Sequence, residues 1–323
     1  MMKLKYLTED FDLARRALAH WPHDEATLTE RLGWFRISAS AIYPFDDPQG
    51  RLCFLRLHPA EEKPSRELLG ELDFLTYLQR LGYPALRPIP STEGETLLPI
   101  DTPQALWFVS AFTGVPGQPL EDLPMNSMLA WAYGDALGRL HAASMRYHPP
   151  IRQRSHSDVI HWIRLTLETH QAPAATLAQL EEVTRQLSAI PRTRANYGLV
   201  HYDFEPDNVF WDGADCHAID FGDAMMHFYA IDLVRALDEM EEEYHAAFLD
   251  GYYAACPASE AQQADFPLMR RFRDLYSYAR LLHSLSERPE LPAGLPPQPE
   301  WMPQLVERLQ TRRDELLQSI CGR

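Results

Sequence analysis

The segment "LVHYDFEPDNVFW", residues 199–211, begins and ends as a buried strand would, yet its middle gathers His201, Asp203, Asp207 and Asn208 within eight residues. A strand seeking a core has no use for these groups, nor for Pro206 among them. Downstream, "CHAIDFGDA", residues 216–224, repeats the pattern: an apolar run leads into Asp220, then Phe221 and Gly222. Joined, the two segments read His201-x-Asp203-x4-Asn208, eleven intervening residues, then Asp220-Phe221-Gly222. A lone Asp-Phe-Gly or His-x-Asp carries little information, and a loop of Asp, Glu and Asn between strands is usually a solvated turn. Both signatures in this order, each framed by strand-like residues, form the arrangement that phosphoryl transfer from ATP requires.

The chemistry explains the residue types. A hydroxyl nucleophile does not ionise at neutral pH, so a carboxylate must stand beside it to take its proton as attack proceeds. Asp203 fits that role. The triphosphate carries several negative charges that Mg2+ neutralises, and Mg2+ prefers oxygen ligands. Asn208 offers a neutral carbonyl oxygen and Asp220 a full charge, so these two fit as the metal ligands. His201 fits as an organiser of the loop through hydrogen bonds.

Composition sets the frame. The 323 residues are 46% hydrophobic and 24% charged, ordinary values for a globular protein large enough for two lobes. The net charge of −16 argues against nucleic acid as the main partner. No apolar run is long enough for a membrane span, and the first residues do not read as a secretory signal. Cys53, Cys216, Cys256 and Cys321 are scattered without metal-ligand spacing, which suits reduced thiols in the cytoplasm. The thirteen histidines form no paired-ligand pattern.

Along the chain, residues 8–20 show helical spacing. "GWFRISASAIYPF" and "RLCFLRLH" read as strands joined by the turn "DDPQG". Residues 65–82 form an amphipathic helix ending at Gly82. "ETLLPI" and "ALWFVSAF" add two strands. From residue 125 the texture turns helical, with helices expected at 125–144, 156–170 and 174–190, short strands around 198–220, and further helices. A proline-rich stretch, "RPELPAGLPPQPEWMP", precedes a last helix at about 303–320. The fold class is therefore α+β and bilobal, with a small β-rich lobe over 1–112 and a mainly helical lobe over 113–323.

These motifs resemble the aminoglycoside phosphotransferase/choline kinase-like superfamily, whose members share a protein-kinase-like fold. "LGRLHAAS" (137–144) looks like the helix before the catalytic segment, "HYDFEPDN" like the catalytic loop, and "IDFGDA…YAIDL" like the metal-binding segment. The resemblance implies Asp203 as catalytic base, Asn208 and Asp220 as magnesium ligands, and Asp232 as a buried support for the loop. One departure is Tyr202, where the family usually has Gly. "FLRLHPAEEKPSRELLGELDFLTYLQRLG" also resembles bacterial members grouped with homoserine kinase and with stress-related Ser/Thr kinases.

A kinase-like fold also needs a strand cation to hold the phosphates, paired with a helix carboxylate. The chain has only Lys3, Lys5 and Lys63, none on an expected strand, so the role falls to Arg56 or to no residue. Glu71 is the expected partner, with Glu67 one turn earlier as competitor. No GxGxxG covers the phosphates; Ser38 and Ser40, with the alanines beside them, are small enough for their backbone to approach. By resemblance, backbone groups around Ser110 and Phe112 bind adenine. Asp223 is a further candidate for the metal or the substrate.

The expected activity is ATP- and Mg-dependent transfer to a hydroxyl of a small molecule such as an amino alcohol, a sugar or a homoserine-like compound. A protein hydroxyl is the enzymatic rival, and a nucleotide-binding pseudoenzyme is the rival from another class. The run "DEMEEEY", 238–244, reads as a solvated helix face.

Overall fold

In a computed structural model of the chain, residues 2–7, 10–261, 265–287 and 301–322 are described. The first lobe opens with two short helices, α1 (Phe11–Leu18) and α2 (Leu28–Leu32). The Asp10 side chain caps α1 by accepting from the Leu13 amide. Six strands follow: β1 (Arg36–Ile37), β2 (Ala41–Asp46), β3 (Leu52–Pro59), β4 (Arg87–Ile89), β5 (Leu98–Asp101) and β6 (Leu106–Thr113). They form one antiparallel sheet in the order β1-β2-β3-β6-β4, with β5 also paired to β6. The expected first strand is thus broken by a turn at Ser38–Ser40 into a hairpin. The edge strand β4 has no counterpart in the sequence reading.

Because strand side chains alternate, the sheet has two distinct faces. Cys53, Leu55, Leu57, Val109 and Ala111 pack with α1 and α2 in one apolar cluster. Phe54, Arg56 and His58 point the other way, opposite Phe112, Ser110 and Phe108 in the register. That second face is the roof of a cleft.

Helix α3 (Ser65–Arg80) bridges the two lobes. Its Leu72, Phe74, Leu75 and Leu78 belong to the large core of the helical lobe, not to the sheet's cluster. Tyr77 donates to the Ala143 carbonyl at 3.1 Å, and Tyr147 donates to Asp73. The stripe that makes α3 amphipathic therefore faces downward, leaving its other side to the sheet.

The helical lobe holds β7 (Gln118–Pro119), α4 (Ser127–Ser144), α5 (His156–Thr169), α6 (Ala174–Ala189), β8 (Tyr197–Val200), β9 (Val209–Trp211), β10 (Cys216–Ala218), β11 (Met225–Phe228), α7 (Ala230–Asp238), α8 (His245–Ala255), α9 (Phe266–Ser286) and α10 (Trp301–Cys321). α4 packs directly on α8, and the contact depends on glycine: a Cβ on Gly134 would sit 1.8 Å from the Phe248 carbonyl oxygen. The strands form two small sheets, β10-β9-β7 and β11-β8, that carry the 199–224 segments. The proline-rich stretch lies outside the described residues except at its end, which begins α10. No described helix is long and apolar enough to cross a membrane.

Candidate active site

The catalytic segment hangs from β8. After Val200 the chain enters a tight turn in which Tyr202 adopts φ 71°, a left-handed conformation that favours glycine. A glycine would take this conformation without the Cβ clash that a tyrosine meets. What holds a tyrosine in that turn is Asp232 on α7. Its Oδ1 accepts from the Tyr202 amide at 2.7 Å and its Oδ2 from the His201 amide at 2.8 Å. His141 of α4 lies 3.0 Å from the same Oδ2 through Nε2. The other His141 nitrogen lies 2.8 Å from the Tyr252 hydroxyl, which lies 2.7 Å from Ser259 Oγ. Asp232 and His141 are wholly buried. His141 thus links Asp232 to the Tyr252 hydroxyl through its two ring nitrogens. The His201 ring bonds the Ile219 carbonyl at 2.8 Å, tying the catalytic loop to the segment that carries Asp220.

Asp203 follows the turn. Its Oδ1 accepts from Arg235 of α7, whose Nη2 also reaches Glu205 at 2.9 Å and whose Nε donates to the Tyr202 carbonyl at 3.1 Å. Asn208 donates its amide to the Asp203 carbonyl at 3.1 Å and to Asp203 Oδ2 at 3.4 Å. That orientation spends the amide nitrogen on the loop and leaves Asn208 Oδ1 as the free oxygen. Asp220 also takes a left-handed φ of 56°, and its Oδ1 accepts from the Gly222 amide at 3.4 Å. Its side chain is solvent-exposed, with protein atoms of both lobes crowded around it. That crowding strips water from the carboxyl and raises its pKa; Arg56 opposes the rise, while Asp203, Asp223 and Glu71 add to it. Glu205 is pushed up to about 7, first by burial and then by neighbouring acids, with Arg235 opposing. Among the described residues no three His, Cys, Asp or Glu side chains gather to hold a metal on their own. Asn208 and Asp220 would share a divalent ion with nucleotide oxygens, and crowded carboxylates with a free amide oxygen fit a hard cation.

From the roof of the cleft, Arg56 on β3 bonds Glu71 of α3 through Nη1 at 2.7 Å; Glu67 is not its partner. The guanidinium lies 4.5 Å from the Phe112 ring centroid. Arg56 Nε and Nη2 are buried and without hydrogen-bond partners. Burial would raise the pKa of Glu71, but Arg56 and then Lys63 outweigh it and hold the carboxyl low. Lys63 stands in the loop after β3. Its Nζ lies 3.6 Å from Glu71 Oε2 and donates to the Gly222 carbonyl, so it ties the roof to the segment that carries Asp220. Lys63, on no strand, thus brings a second cation to the carboxylate that Arg56 holds.

Ser38 and Ser40 form the β1–β2 turn, closed by the Ser38 amide on the Ser40 carbonyl at 3.0 Å, and Met2 donates its amide to Ser38 at 3.0 Å. Ser110 lies opposite Arg56 and Phe112 opposite Phe54 and Pro88. β5 pairs with β6 up to Val109 and β4 pairs from Ala111, so Ser110 falls in the gap between them. Asp223 is not free: Arg280 of α9 donates to it at 2.6 Å. Burial would raise the pKa of Asp223, and Arg280 leads the cations that keep it low instead.

Sequence reasoning missed Lys63, Arg235, His141 and Arg280. Only His141 carried a signal, as the histidine of "LGRLHAAS".

Comparison with known proteins bears on family and fold. Residues 39–266 match the family described as "Phosphotransferase enzyme family". An amicoumacin kinase of Bacillus subtilis is 23% identical over 289 residues, covering 81% of this chain and 86% of that protein. A homoserine kinase of Caulobacter vibrioides is 28% identical over 267 residues, covering 76% and 78%. Among solved structures, an amicoumacin kinase in complex with AMP-PNP, Ca2+ and Ami superposes with a TM-score of 0.77 at 20% identity, over 97% of this chain and 94% of that one. A microcompartment-associated aminopropanol kinase gives 0.68 at 20% identity, over 97% and 99%. The fold is α+β and protein-kinase-like.

Proposed function

The chain belongs to the phosphotransferase enzyme family and acts on hydroxyl groups of small molecules, and from that premise we propose that it uses ATP with Mg2+ and that the acceptor is an amino alcohol, a sugar or a homoserine-like compound. The observation that carries the nucleotide half of this reading is the bare side of Arg56: two buried guanidinium nitrogens with no partner, in the roof of a cleft whose floor is Asp203, Asn208 and Asp220. Two unpartnered N–H groups on a buried guanidinium are costly, and a phosphate oxygen is the ligand that would complete them.

In this reading Asp203 takes the acceptor's proton while the acceptor oxygen forms a bond to the γ-phosphorus and the bond to the ADP oxygen breaks. Arg235 holds Asp203 in place, and Asn208 positions it through two hydrogen bonds. Arg56, fixed by Glu71, clamps the phosphates, and the Ser38–Ser40 turn covers them with backbone. Backbone around Ser110 and Phe112 receives adenine. Asn208 and Asp220 hold the magnesium ion, which supplies charge neutralisation on the triphosphate. Asp232 keeps the loop in its strained turn.

The test is ADP release across a panel of alcohols and amino alcohols, wild type against Asp203→Ala. Loss of a general base lowers turnover by about a hundredfold to ten-thousandfold. A wild type no faster than the variant on every acceptor defeats the reading, and radiolabel appearing on polypeptide instead would make the acceptor a protein.

A further inference from the structure

A segment that the steps above do not use runs across the seam between the lobes. Residues 2–7, "MKLKYL", precede α1 and carry two of the chain's three lysines. Met2, Leu4 and Leu7 are at most 1% exposed and pack with Met302 and Leu309 of α10. Ile37, at the end of β1, lies against the same cluster. The apolar side of the segment therefore fills a space to which both lobes contribute. At its start, the Met2 amide donates to the Ser38 carbonyl at 3.0 Å, and the Ser38 amide closes its own turn on Ser40. One end of the segment is thus fixed to the turn that the nucleotide reading places over the phosphates.

The polar side is stitched to both lobes. Lys3 and Lys5 each pair with Glu61, in the loop after β3, and with Glu287, just past the end of α9. Tyr6 donates its hydroxyl to Glu61 at 2.6 Å, and the Lys5 amide donates to the Glu287 carbonyl at 3.2 Å. Glu61 belongs to the small lobe and Glu287 to the helical one. Without the lysines, these two carboxylates would repel across the seam in a chain of net charge −16. With them, each charge has opposite charges for neighbours, and such a network counts for more than isolated surface pairs. Lys3, then Tyr6 and Lys5, hold the Glu61 carboxyl down to about 2. Burial would lower the pKa of both lysines, but Glu287 and Glu61 outweigh it and raise them. The knot therefore stays charged across any working pH.

We propose that residues 2–7 are a positioning strap for the Ser38–Ser40 turn, with Lys3 and Lys5 as the residues that fasten it. This rests on the reading of that turn as the cover of the nucleotide phosphates, and it adds what holds the cover down. A short turn of small residues has many conformations open to it. Fixing one in advance removes that ordering cost from nucleotide binding and slows the nucleotide's escape. The strap fixes it by tying the turn to the lobe that carries Asp203, Asn208 and Asp220, so cover and floor keep one spacing. Because Lys3 and Lys5 are committed to Glu61 and Glu287, their effect falls on nucleotide binding and release, not on the chemical step.

The experiment follows the release of a fluorescent ADP analogue, mant-ADP with Mg2+, from the full chain under a chase of unlabelled ADP. Lys3→Glu with Lys5→Glu gathers like charges at the seam. The analogue then leaves about fivefold faster or more, and KM for ATP rises by a similar factor with KM for the acceptor unchanged. Adding Glu61→Lys and Glu287→Lys restores opposite signs and brings both values back to within about twofold of wild type. Should the reversed pair fail to fold, Lys3→Gln with Lys5→Gln removes the attraction without adding repulsion and moves both values in the same direction. Release and KM that stay at wild-type values in a folded variant overturn the inference and leave phosphotransfer standing, even where the melting temperature falls. So does a defect that the charge exchange fails to repair, or one that raises KM for the acceptor in step. A wild type that binds no analogue overturns the nucleotide reading, and the strap with it.

Discussion

Around Asp232 both carboxylate oxygens are occupied, by the amides of His201 and Tyr202 and by His141, and the chain of partners continues through Tyr252 to Ser259. Across the cleft, Arg56 and Glu71 are as deeply buried, yet Arg56 Nε and Nη2 and Glu71 Oε2 have no hydrogen-bond partner. His58, two residues along the same face of β3, has both ring nitrogens bare. The two sets are built from the same kinds of group at the same depth and differ only in completion. A complete buried network fixes one conformation of the backbone, here the left-handed turn at Tyr202. An incomplete one holds donors in place at a standing cost, and that cost is recovered only when a ligand arrives.

The contrast predicts opposite phenotypes. Asp232→Ala strips the charge that satisfies two backbone amides and His141 in a dry interior, so stability falls by about 3–5 kcal/mol. Turnover falls with it, because the strained turn that aims Asp203 loses its restraint. Chemical denaturation measures the first and ADP release the second. A variant that loses activity with its midpoint unmoved would break the view that the Asp232 network is scaffold.

For the incomplete set the expectation inverts. Replacing both partners, Arg56→Met with Glu71→Leu, removes the buried ion pair together; Lys63 loses its 3.6 Å contact with Glu71 but keeps the Gly222 carbonyl. Such exchanges are often neutral or stabilising. Thermal stability of the double variant therefore stays level or rises, while affinity for ATP falls about tenfold or more through loss of a charge-assisted contact. Calorimetric titration with the nucleotide checks it. Unaltered nucleotide affinity would mean that Lys63, already at 3.6 Å from Glu71 in the wild type, holds the phosphates alone.

The same contrast explains what the sequence could and could not reveal. The chemistry of a base and two oxygen ligands dictates residue types at fixed spacing, so Asp203, Asn208 and Asp220 stand out in the chain and lie together in the fold. Helices α4, α5 and α6 are bounded within two residues of expectation, since their apolar periodicity is long and their ends are punctuated by Asn126, Ser155 and Pro173. β4 is three residues containing a proline, too short for any alternation to show. Lys63, Arg235 and Arg280 reach their partners across 159, 32 and 57 residues of chain, and no local pattern encodes a meeting made by tertiary packing. The sequence also hid why Tyr202 is tolerated, because the restraint comes from Asp232 thirty residues later.

A last variant asks whether every bare atom in the roof waits for a ligand. Ser110 is 1% exposed and its Oγ lacks a partner, like the bare atoms of Arg56 directly opposite it. The nucleotide reading, however, uses the backbone of β6 and assigns the Ser110 hydroxyl nothing. Ser110→Ala should therefore remove a desolvated hydroxyl at no functional loss and raise stability by about 1 kcal/mol, the lower end of what an unsatisfied buried group costs. Nucleotide affinity should hold. If it weakens while stability rises, the hydroxyl belongs with Arg56 among the groups that a ligand completes, and the site extends along β6 as far as the gap between β5 and β4. If stability falls instead, the hydroxyl meets a buried water in the apo protein, and incompleteness at this face is confined to Arg56, Glu71 and His58.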